Sequence, residues 1–453
     1  MKEKEFIVAI ELGSSAIRGI AGRRNPDGSV QVEHIAHVTS EDCIHRGVVY
    51  NIDKTTNAIR RVREMLEQAL QLKVVKAYVG VQGQSLRTIK NFVRETFERV
   101  REVTDTDVDN LLDRNYSTNY GDLEILDVIT QEYKLDHKED DDPKGVETRS
   151  IEGRFNNVVA RSKVKENILK CMRNAGLECA DVIISPLALA QRVLSDQERR
   201  SGCALVDFGA QTTTVQVYKG GKLRYLATLP LGGRTITHDI ASARDIDFAE
   251  AETLKVSHGT ALIDLSKDTP GAELPITGDR TFPLSLIERI CESRMEEILR
   301  NVGECIRRSE VSDQLTSGLH FTGGGSRLKD ITRAYTACLP QFNKVHLTRP
   351  LIGSDELMRC GTGLQGFNFD TLVSLLAQGE EICTQPVEEK KPEPEPEQQQ
   401  LFDAEGNPID PNKPSPAPID DDDDEEEKPK KMDGIKQKLS RVWAKITDTL
   451  NEG

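Results

Sequence analysis

The hydrophobic pattern at the start of the chain predicts a strand, a tight turn and a second strand. The residues read FIVAIELGSSAIRGIAG, in which an acidic residue, a glycine and small polar residues separate two apolar runs. A turn at residues 26–28 leads into a third strand. The same order recurs in CALVDFGAQTTTVQVYKGGKL, where residues 207–212 correspond to residues 11–15. This repeat predicts two duplicated α/β lobes.

Apolar residues at helical or alternating spacing predict the elements that complete the two lobes. Predicted helices cover residues 54–71, 163–175, 249–258 and 284–308, and predicted strands cover residues 77–81, 181–184 and 318–322. A third glycine turn at 323–326 follows the last of these strands, and we expect it to open a helix at Arg327. Residues 264–282 contain Pro and Gly and predict a loop with short strands.

Two segments differ from the rest in composition. Residues 84–159 are charge-rich and carry a polar loop at 137–145, which is typical of an inserted subdomain. Residues 384–431 are rich in Pro, Glu, Gln and Asp and predict a disordered linker, which would span roughly 40 Å as a flexible coil.

A basic amphipathic helix is predicted after the linker, at residues 432–453. Its apolar stripe is formed by Ile435, Leu439, Val442, Trp443, Ile446 and Leu450. The neighbouring basic positions are Lys436, Lys438, Arg441 and Lys445. Such a helix at the end of a tether is typical of binding to an anionic membrane surface. The alternatives are a helix that folds back onto the globular body or one that binds a protein groove.

Composition excludes several classes of function. The 453 residues exceed one ordinary core, so at least two lobes are expected. A net charge of −15 argues against nucleic acid as a partner, although much of it lies in residues 420–427. The nine cysteines are scattered singly, which suggests neither zinc nor disulfides. Without a signal peptide or an apolar run of about 20 residues, we expect a cytoplasmic protein that touches membranes only from the surface.

The glycine turns have the chemistry of phosphate binding. Backbone N–H groups in such turns point at one spot where phosphate oxygens can accept them, and glycine permits close approach. Hydroxyl donors are available at Ser14, Ser15, Thr212 and Thr213. The acidic residues before the turns, Glu11 and Asp207, can hold Mg²⁺ through its water ligands. Each turn alone is equally consistent with a plain β-hairpin, but the set of three favours a nucleotide site.

The order of the three turns resembles the actin, heat-shock chaperone and sugar-kinase superfamily. The resemblance implies an α/β, actin-like fold of two ribonuclease-H-like lobes with ATP between them. Glu252 and Lys255 would contact the ribose and base, and residues 322–327 would face the adenosine. The implied cofactor contacts are Gly13, Ser14, Ser15, Asp207, Gly209, Gln211, Thr212, Thr213, Gly232, Gly233, Glu252, Lys255, Gly323, Gly324, Gly325 and Arg327.

Within this superfamily the chain looks most like the FtsA family of actin-like bacterial cell-division proteins. The segments that carry this resemblance are AYVGVQGQSL, VDFGAQTTTVQVYKGGKL, LPLGGRTITHDIA, AETLKVSHG and LHFTGGGSRLKDI, together with the C-terminal helix. The resemblance implies subdomains 1A (1–83 and 163–199), 1C (84–162, inserted), 2A (200–236 and 310–383) and 2B (237–309), before the linker at 384–431 and the helix at 432–453.

One departure from the superfamily bears on catalysis. Hydrolysing relatives place Glu or Gln about where Ser185 stands in IISPLA, to orient the attacking water. Serine is short and a poor base, so we expect an ATP-binding protein with weak or absent hydrolysis. Gln211 and Gln191 are the alternative residues for that role. The other departure, Glu11 where most relatives have Asp, affects only the reach to Mg²⁺.

The FtsA resemblance also implies partners. Members of that family bind the C-terminal peptide of the tubulin-like FtsZ through subdomain 2B, where Arg294 and, less closely, Arg280 match the family. It further implies head-to-tail self-association, recruitment of later division proteins and a place on the cytoplasmic face of the membrane at the division site. The alternatives are an actin-like ATPase of the kinase or chaperone type, or another actin-like scaffold such as MreB or a pilus-assembly protein.

Overall fold

The first lobe begins with the hairpin that the sequence predicts. The computed structural model describes residues 5–387 except 265, 267–270, 343, 362, 363, 365 and 367. The elements up to the insertion are β1 (Ile7–Leu12), β2 (Ala16–Arg24), β3 (Val30–Thr39), β4 (Ile44–His45), β5 (Val48–Val49), α1 (Ile52–Leu70), β6 (Leu72–Val74) and β7 (Lys76–Val81).

Helix α1 shows how the pattern produces the packing. Asn51 caps the helix by accepting a hydrogen bond from the N–H of Lys54 at 2.9 Å. The apolar stripe of the helix is buried on β2 and β3. A Cβ at Gly19 of β2 would clash with Val62 of the helix, so glycine allows the close contact between helix and sheet.

The inserted segment is a small α/β unit with long strands. Its elements are β8 (Arg87–Glu102), α2 (Asp105–Tyr116), β9 (Leu123–Leu135), β10 (Glu139–Asp140) and β11 (Glu147–Arg161). Helix α2 packs on β8 and β11 around a separate apolar cluster that contains Phe97 and Phe155. A buried amide network joins Asn115 to Asn157 at 2.8 Å.

After the insertion the chain completes the first lobe and enters the second. The next elements are α3 (Ser162–Asn174), β12 (Glu178–Ile184), α4 (Ser185–Val193) and α5 (Asp196–Ser201). The first sheet has the order β12-β7-β1-β2-β3, with β1 parallel to β7 and antiparallel to β2.

The second lobe repeats this arrangement. Its elements are β13 (Cys203–Phe208), β14 (Thr213–Lys219), β15 (Lys222–Leu229), α6 (Gly233–Arg244), α7 (Phe248–His258), β16 (Glu273–Ile276), β17 (Arg280–Pro283), α8 (Leu284–Arg308), β18 (Leu319–Thr322), α9 (Ile331–Cys338) and β19 (Val345–Leu347). The order β19-β18-β13-β14-β15 corresponds strand for strand to the first sheet, which confirms the predicted duplication.

The insertion extends the second sheet, a join that the sequence does not predict. Strands β10, β9, β11 and β8 continue from β15, so that the sheet has nine strands among the described residues. The join has one ladder pair, Arg87 with Ala227, and is supported by side chains. The Thr88 hydroxyl accepts the N–H of Leu226 at 2.9 Å, and Asn156 donates to the carbonyl of Arg224 at 2.7 Å.

The last described elements return to the first lobe. They are α10 (Ser354–Cys360), α11 (Asp370–Gln378) and β20 (Thr384–Pro386). Strand β20 pairs with β6, and the Thr384 hydroxyl accepts the N–H of Phe6 at 3.1 Å. The predicted start of the disordered linker at residue 384 is therefore wrong, because the strand interactions continue through Pro386. Residues 388–453, with the remainder of the predicted linker and the C-terminal helix, lie outside the described residues.

Two further expectations can be compared with the described residues. All nine cysteines are free, and seven of them are buried. No helix between residues 5 and 387, apart from the gaps given above, is long and apolar enough to cross a membrane.

Candidate nucleotide cleft and partner groove

The two glycine turns have the same geometry. In the first lobe the strands pair up to Leu12 and Ile17, and in the second up to Phe208 and Thr213, so each turn has four residues. In both turns the N–H of the first residue, a glycine, donates to the carbonyl of the fourth, at 3.1 Å from Gly13 and 2.8 Å from Gly209. The structural equivalence of the two turns is thus confirmed.

Backbone donors are left over in both turns. The N–H groups of Ser14 and Ser15, and those of Ala210 and Gln211, have no acceptor among the described residues. Buried or partly buried N–H groups without an acceptor are costly, and two such pairs at corresponding positions fit phosphate oxygens. This arrangement fits the phosphates that the sequence predicts.

The hydroxyl groups that were predicted to bind phosphate make different contacts in the structure. Thr213 is buried and its hydroxyl donates to the carbonyl of Leu231 at 2.9 Å, so it supports the turn and is not an available donor. The Ser14 hydroxyl accepts the N–H of Gly47 at 2.8 Å. The Ser15 hydroxyl accepts a hydrogen bond from Arg18 at 3.3 Å. The backbone of Thr212 accepts the turn hydrogen bond of Gly209 described above.

The third glycine turn packs against the second. Gly323 has a φ of +84°, and a Cβ there would lie 2.6 Å from the carbonyl oxygen of Phe208 and clash with Asp207. A Cβ at Gly325 would lie 2.8 Å from Phe208, whereas Gly324 faces open space.

The predicted helix start at Arg327 is wrong: residues 324–327 form a 3-10 turn and α9 begins at Ile331. The helix begins later because Gly323 and Gly325 pack closely against Phe208. Arg327 is exposed and donates to the carbonyl of Gly366 at 2.9 Å.

Acidic side chains meet between the turns. Glu11 is buried and pairs with Arg18 at 3.2 Å, and Asp207 is partly buried beside them. Burial raises the pKa of Asp207 to about 7, and the charges of Glu11 and Asp370 add to this effect. Among the described residues no group of three His, Cys, Asp or Glu side chains is placed to ligate a metal directly. Binding of Mg²⁺ through water by Glu11 and Asp207 stays a prediction.

The residues expected at the ribose and base, Glu252 and Lys255, both lie on α7 and contact the first turn of α6. Lys255 donates to Glu252 at 2.7 Å, to the Thr237 hydroxyl at 2.8 Å and to the carbonyl of Gly233 at 3.1 Å. The N–H of Gly233 donates in turn to the carbonyl of Gly209 at 3.0 Å. A Cβ at Gly232 would lie 2.6 Å from the carbonyl oxygen of Ala210, so the glycine pair brings the start of α6 against the second turn.

Polar contacts between described residues cross from the first lobe to this region. The N–H of Arg46 donates to the side chain of Gln211 at 2.6 Å, and Glu41 pairs with Arg234 at 3.0 Å. Arg46 has a φ of +51°, which is unusual for a residue with a side chain. The second turn is thereby linked to the turn between β4 and β5, and the start of α6 is linked to the loop that follows β3.

The position expected of a hydrolysing residue is occupied by a buried serine. Ser185 is the first residue of α4, is 1% exposed, and its hydroxyl has no hydrogen-bond partner among the described residues. Its hydroxyl lies against Gly80 of β7, where a Cβ would clash with it. Gln191 accepts from Gln378 of α11 at 2.8 Å, and Gln211 is engaged with Arg46 as described.

Two charged residues of the cleft were missed by sequence reasoning. Arg18 lies directly opposite Glu11 in the β1–β2 register. A prediction that the turn has four residues would have fixed this register and identified Arg18. Asp370, the first residue of α11, is 2% exposed and accepts hydrogen bonds from Thr322 at 3.3 Å and from the N–H of Leu351 at 2.8 Å. No local pattern identifies Asp370, because its neighbours come from distant parts of the chain.

A groove lies between α6 and α8, in the region expected to bind the partner peptide. It has a volume of about 410 Å³ and is lined by Asp239, Ala243, Leu286, Arg289, Ile290, Ser293 and Arg294. Arg294 donates to Asp239, and to Glu297 at 2.7 Å, and these carboxylates raise the pKa of its guanidinium. Arg280 instead donates to the carbonyls of Arg244 and Asp245 at the end of α6 and does not line the groove.

The sequence matches models of two protein families and of one inserted domain. A model described as cell division protein FtsA matches residues 204–362, and one described as the SHS2 domain inserted in FtsA matches residues 83–159. A model of the type IV pilus assembly protein PilM matches residues 132–261, which is less than a third of the chain.

Individual proteins give a similar result. The chain is 31% identical to the cell division protein FtsA of Porphyromonas gingivalis over 77% of its own length and 74% of that protein. It is 30% identical to FtsA of Pseudomonas aeruginosa over 72% and 79% of the two lengths. Its fold resembles a protein in the PilM–PilN type IV pilus biogenesis complex with a TM-score of 0.56, 15% identity, and coverage of 82% of this chain and 97% of that chain. At that identity the structural match supports the actin-like fold alone.

Proposed function

This chain belongs to the FtsA family of cell-division proteins, and we propose that it is an ATP-binding, actin-like adaptor. In this role it polymerises, connects the FtsZ ring to the inner face of the cytoplasmic membrane, and helps to recruit later division proteins. The observation that carries the nucleotide part is the matched pair of glycine turns with unpaired N–H groups.

The residues of the cleft fit ATP with Mg²⁺. The donors of Ser14, Ser15, Ala210 and Gln211 would hold phosphate oxygens. Bound Mg²⁺ would neutralise phosphate charge and favour the ionised form of Asp207. Glu252 and Lys255 would bind the ribose and base beside the start of α6, and Gly323 to Gly325 would allow the adenosine close to the backbone.

We further propose that ATP is a structural ligand with weak or absent turnover. The Ser185 hydroxyl is buried against Gly80, and a serine there lacks the reach and basicity to orient water. The two glutamines considered as substitutes each have a partner, Gln211 with Arg46 and Gln191 with Gln378. Bound ATP would therefore hold the two lobes together for assembly.

Nucleotide titration combined with turnover measurement tests this proposal. We expect saturable binding of ATP with Mg²⁺ and turnover far below about 1 s⁻¹, the low end of ordinary enzyme rates. Lys255→Met should weaken binding because it removes the amine beside Gly233. Lys54→Met, at an exposed lysine paired with Asp42, is the matched control and should bind normally. Turnover at ordinary enzyme rates would contradict the structural role, and absence of binding would contradict the nucleotide site itself.

The adaptor role places the partner in the groove between α6 and α8. This groove lies in the part of the chain that corresponds to the FtsZ-binding subdomain of the family, and it combines apolar side chains with arginines.

The membrane contact is proposed for the predicted C-terminal helix, which lies outside the described residues. Its contact residues would be Ile435, Leu439, Val442, Trp443, Ile446 and Leu450, with the neighbouring lysines and arginine. Burying this stripe would yield at most roughly 10 kcal/mol before ordering costs, so several copies in a polymer would bind far more strongly than one.

A further inference from the structure

The groove between α6 and α8 contains two arginines in different states. Arg294 is half-buried, and its guanidinium already donates to Asp239 of α6 and Glu297 of α8. Arg289 is exposed and has no ion pair or hydrogen bond among the described residues. The groove therefore contains one arginine bound by two carboxylates and one arginine without a partner in the described part of the chain.

Both arginines lie on one face of α8. Leu286, Arg289, Ile290, Ser293 and Arg294 follow the spacing i, i+3, i+4, i+7 and i+8, which places them along a single stripe. Leu286 and Ile290 are partly buried and pack on the core of the second lobe. An occupant would meet an apolar floor with a cation at Arg289, which suits an acidic, partly apolar peptide.

The two arginines would respond differently to an incoming carboxylate. A carboxylate that approached Arg294 would compete with Asp239 and Glu297, and their negative charges would repel it. A carboxylate that approached Arg289 would not have to displace a paired carboxylate among the described residues. The existing ion pair between Arg294 and Asp239 joins α6 to α8, the two walls of the groove.

From this geometry we propose that Arg289 forms the ion pair with the acidic side chain of the docked peptide. Arg294 is a positioning residue that holds α6 against α8 through Asp239. This assignment rests on the proposed function, since it concerns the peptide expected in the same groove. It adds a specificity-determining residue that the family resemblance did not indicate.

A double-mutant cycle between protein and peptide tests the assignment. The full chain is titrated with a fluorescent FtsZ C-terminal peptide and with peptides in which each acidic residue in turn is replaced by its amide. We expect Arg289→Gln to lower the affinity for the acidic peptide about five- to tenfold, as for a partly desolvated ion pair. The loss should disappear with one amide peptide, and the salt dependence of binding should fall in parallel.

Arg294→Gln should behave differently. It should weaken binding of every peptide by the same factor, because it loosens the groove wall and makes no contact with the peptide charge. Arg300→Gln is the matched control on α8, since this exposed residue pairs with Glu296 and does not line the groove. It should leave all affinities unchanged, and circular dichroism would verify that each variant is folded.

Two results would overturn the assignment, and they are distinguishable. If the charge coupling appears at Arg294 and none appears at Arg289, the roles are reversed while the proposed function stands. If the wild-type chain binds no peptide with or without ATP, the peptide-binding part of the proposed function fails and the assignment fails with it.

Discussion

At the scale of single residues, Gly323 shows why the third turn must contain glycine. Its positive φ disfavours other residues, and the space for a Cβ is taken by the backbone of Phe208. Its neighbour Gly324 faces open space. The sequence predicted a glycine turn here. It could not predict that only Gly323 of these two positions excludes a side chain, because this depends on contacts with β13 that no local pattern contains.

Gly323→Ala should lower the free energy of unfolding by about 1–3 kcal/mol, because it combines backbone strain with a steric clash. Gly324→Ala should change it by less than about 0.5 kcal/mol, as for an uncrowded surface position. Urea unfolding without nucleotide measures both. Equal effects of the two substitutions would contradict the packing described for this turn.

Asp207→Asn should have opposite effects on stability and on nucleotide binding. An acid whose pKa is raised on folding, here to about 7, binds its proton more tightly in the folded state. The contribution of Asp207 to the free energy of unfolding therefore falls as the pH rises from about 4 to about 7, by at most about 4 kcal/mol. Asparagine cannot ionise, so the stability of the variant relative to the wild type should be higher at pH 8 than at pH 5.

The measurement is urea unfolding at both pH values without nucleotide, together with binding of ATP and Mg²⁺ at pH 8. Binding should weaken because the variant has lost the carboxylate near the expected ion. A stability difference between wild type and variant that is the same at pH 5 and pH 8 would show that Asp207 titrates normally.

At the scale of elements, sequence periodicity predicted α1, α3, α7 and α8, but it predicted neither the other helices, such as α2 and α6, nor the strands of the insertion. Helix α8 matches its predicted bounds because a regular apolar stripe faces the core. Strand β8, by contrast, reads RTIKNFVRETFERVRE and buries only Val93 and Phe97. Its many charged residues obscure the alternation of apolar and polar side chains that would indicate a strand. Its join to β15 has one ladder pair and is made largely by side chains such as Thr88 and Asn156, which leaves no pattern in the sequence.

Strand β20 gives a prediction about where the folded body ends. A chain that stops after residue 382 loses buried Cys383 and the pairing of Thr384 to Pro386 with β6. We expect its free energy of unfolding to be about 2 kcal/mol or more below that of a chain ending at residue 387. Urea unfolding of the two truncated chains compares them. Equal stability would mean that the predicted linker start at 384 was correct after all.

At the scale of the whole molecule, the duplicated fold could be predicted because both lobes carry the same strand-turn-strand pattern. The two glycine turns have the same backbone geometry, and their unpaired N–H groups support the proposed shared phosphate site. The contacts between the lobes, such as Arg46 with Gln211, could not be predicted, because they depend on how the turn between β4 and β5 meets the second glycine turn. The same limit applies to Asp370 beside the cleft.

The proposed adaptor role requires that one chain connect an FtsZ peptide to a membrane. The most direct measurement is co-sedimentation of anionic vesicles with ATP, Mg²⁺, a labelled FtsZ C-terminal peptide and either the full chain or a chain lacking residues 432–453. Trp443→Glu in the full chain is the matched point variant. We expect the peptide to pellet with vesicles only when the unmodified full chain is present. If the full chain leaves the peptide in the supernatant, or if the shortened chain carries it to the pellet equally well, the proposed adaptor role is contradicted.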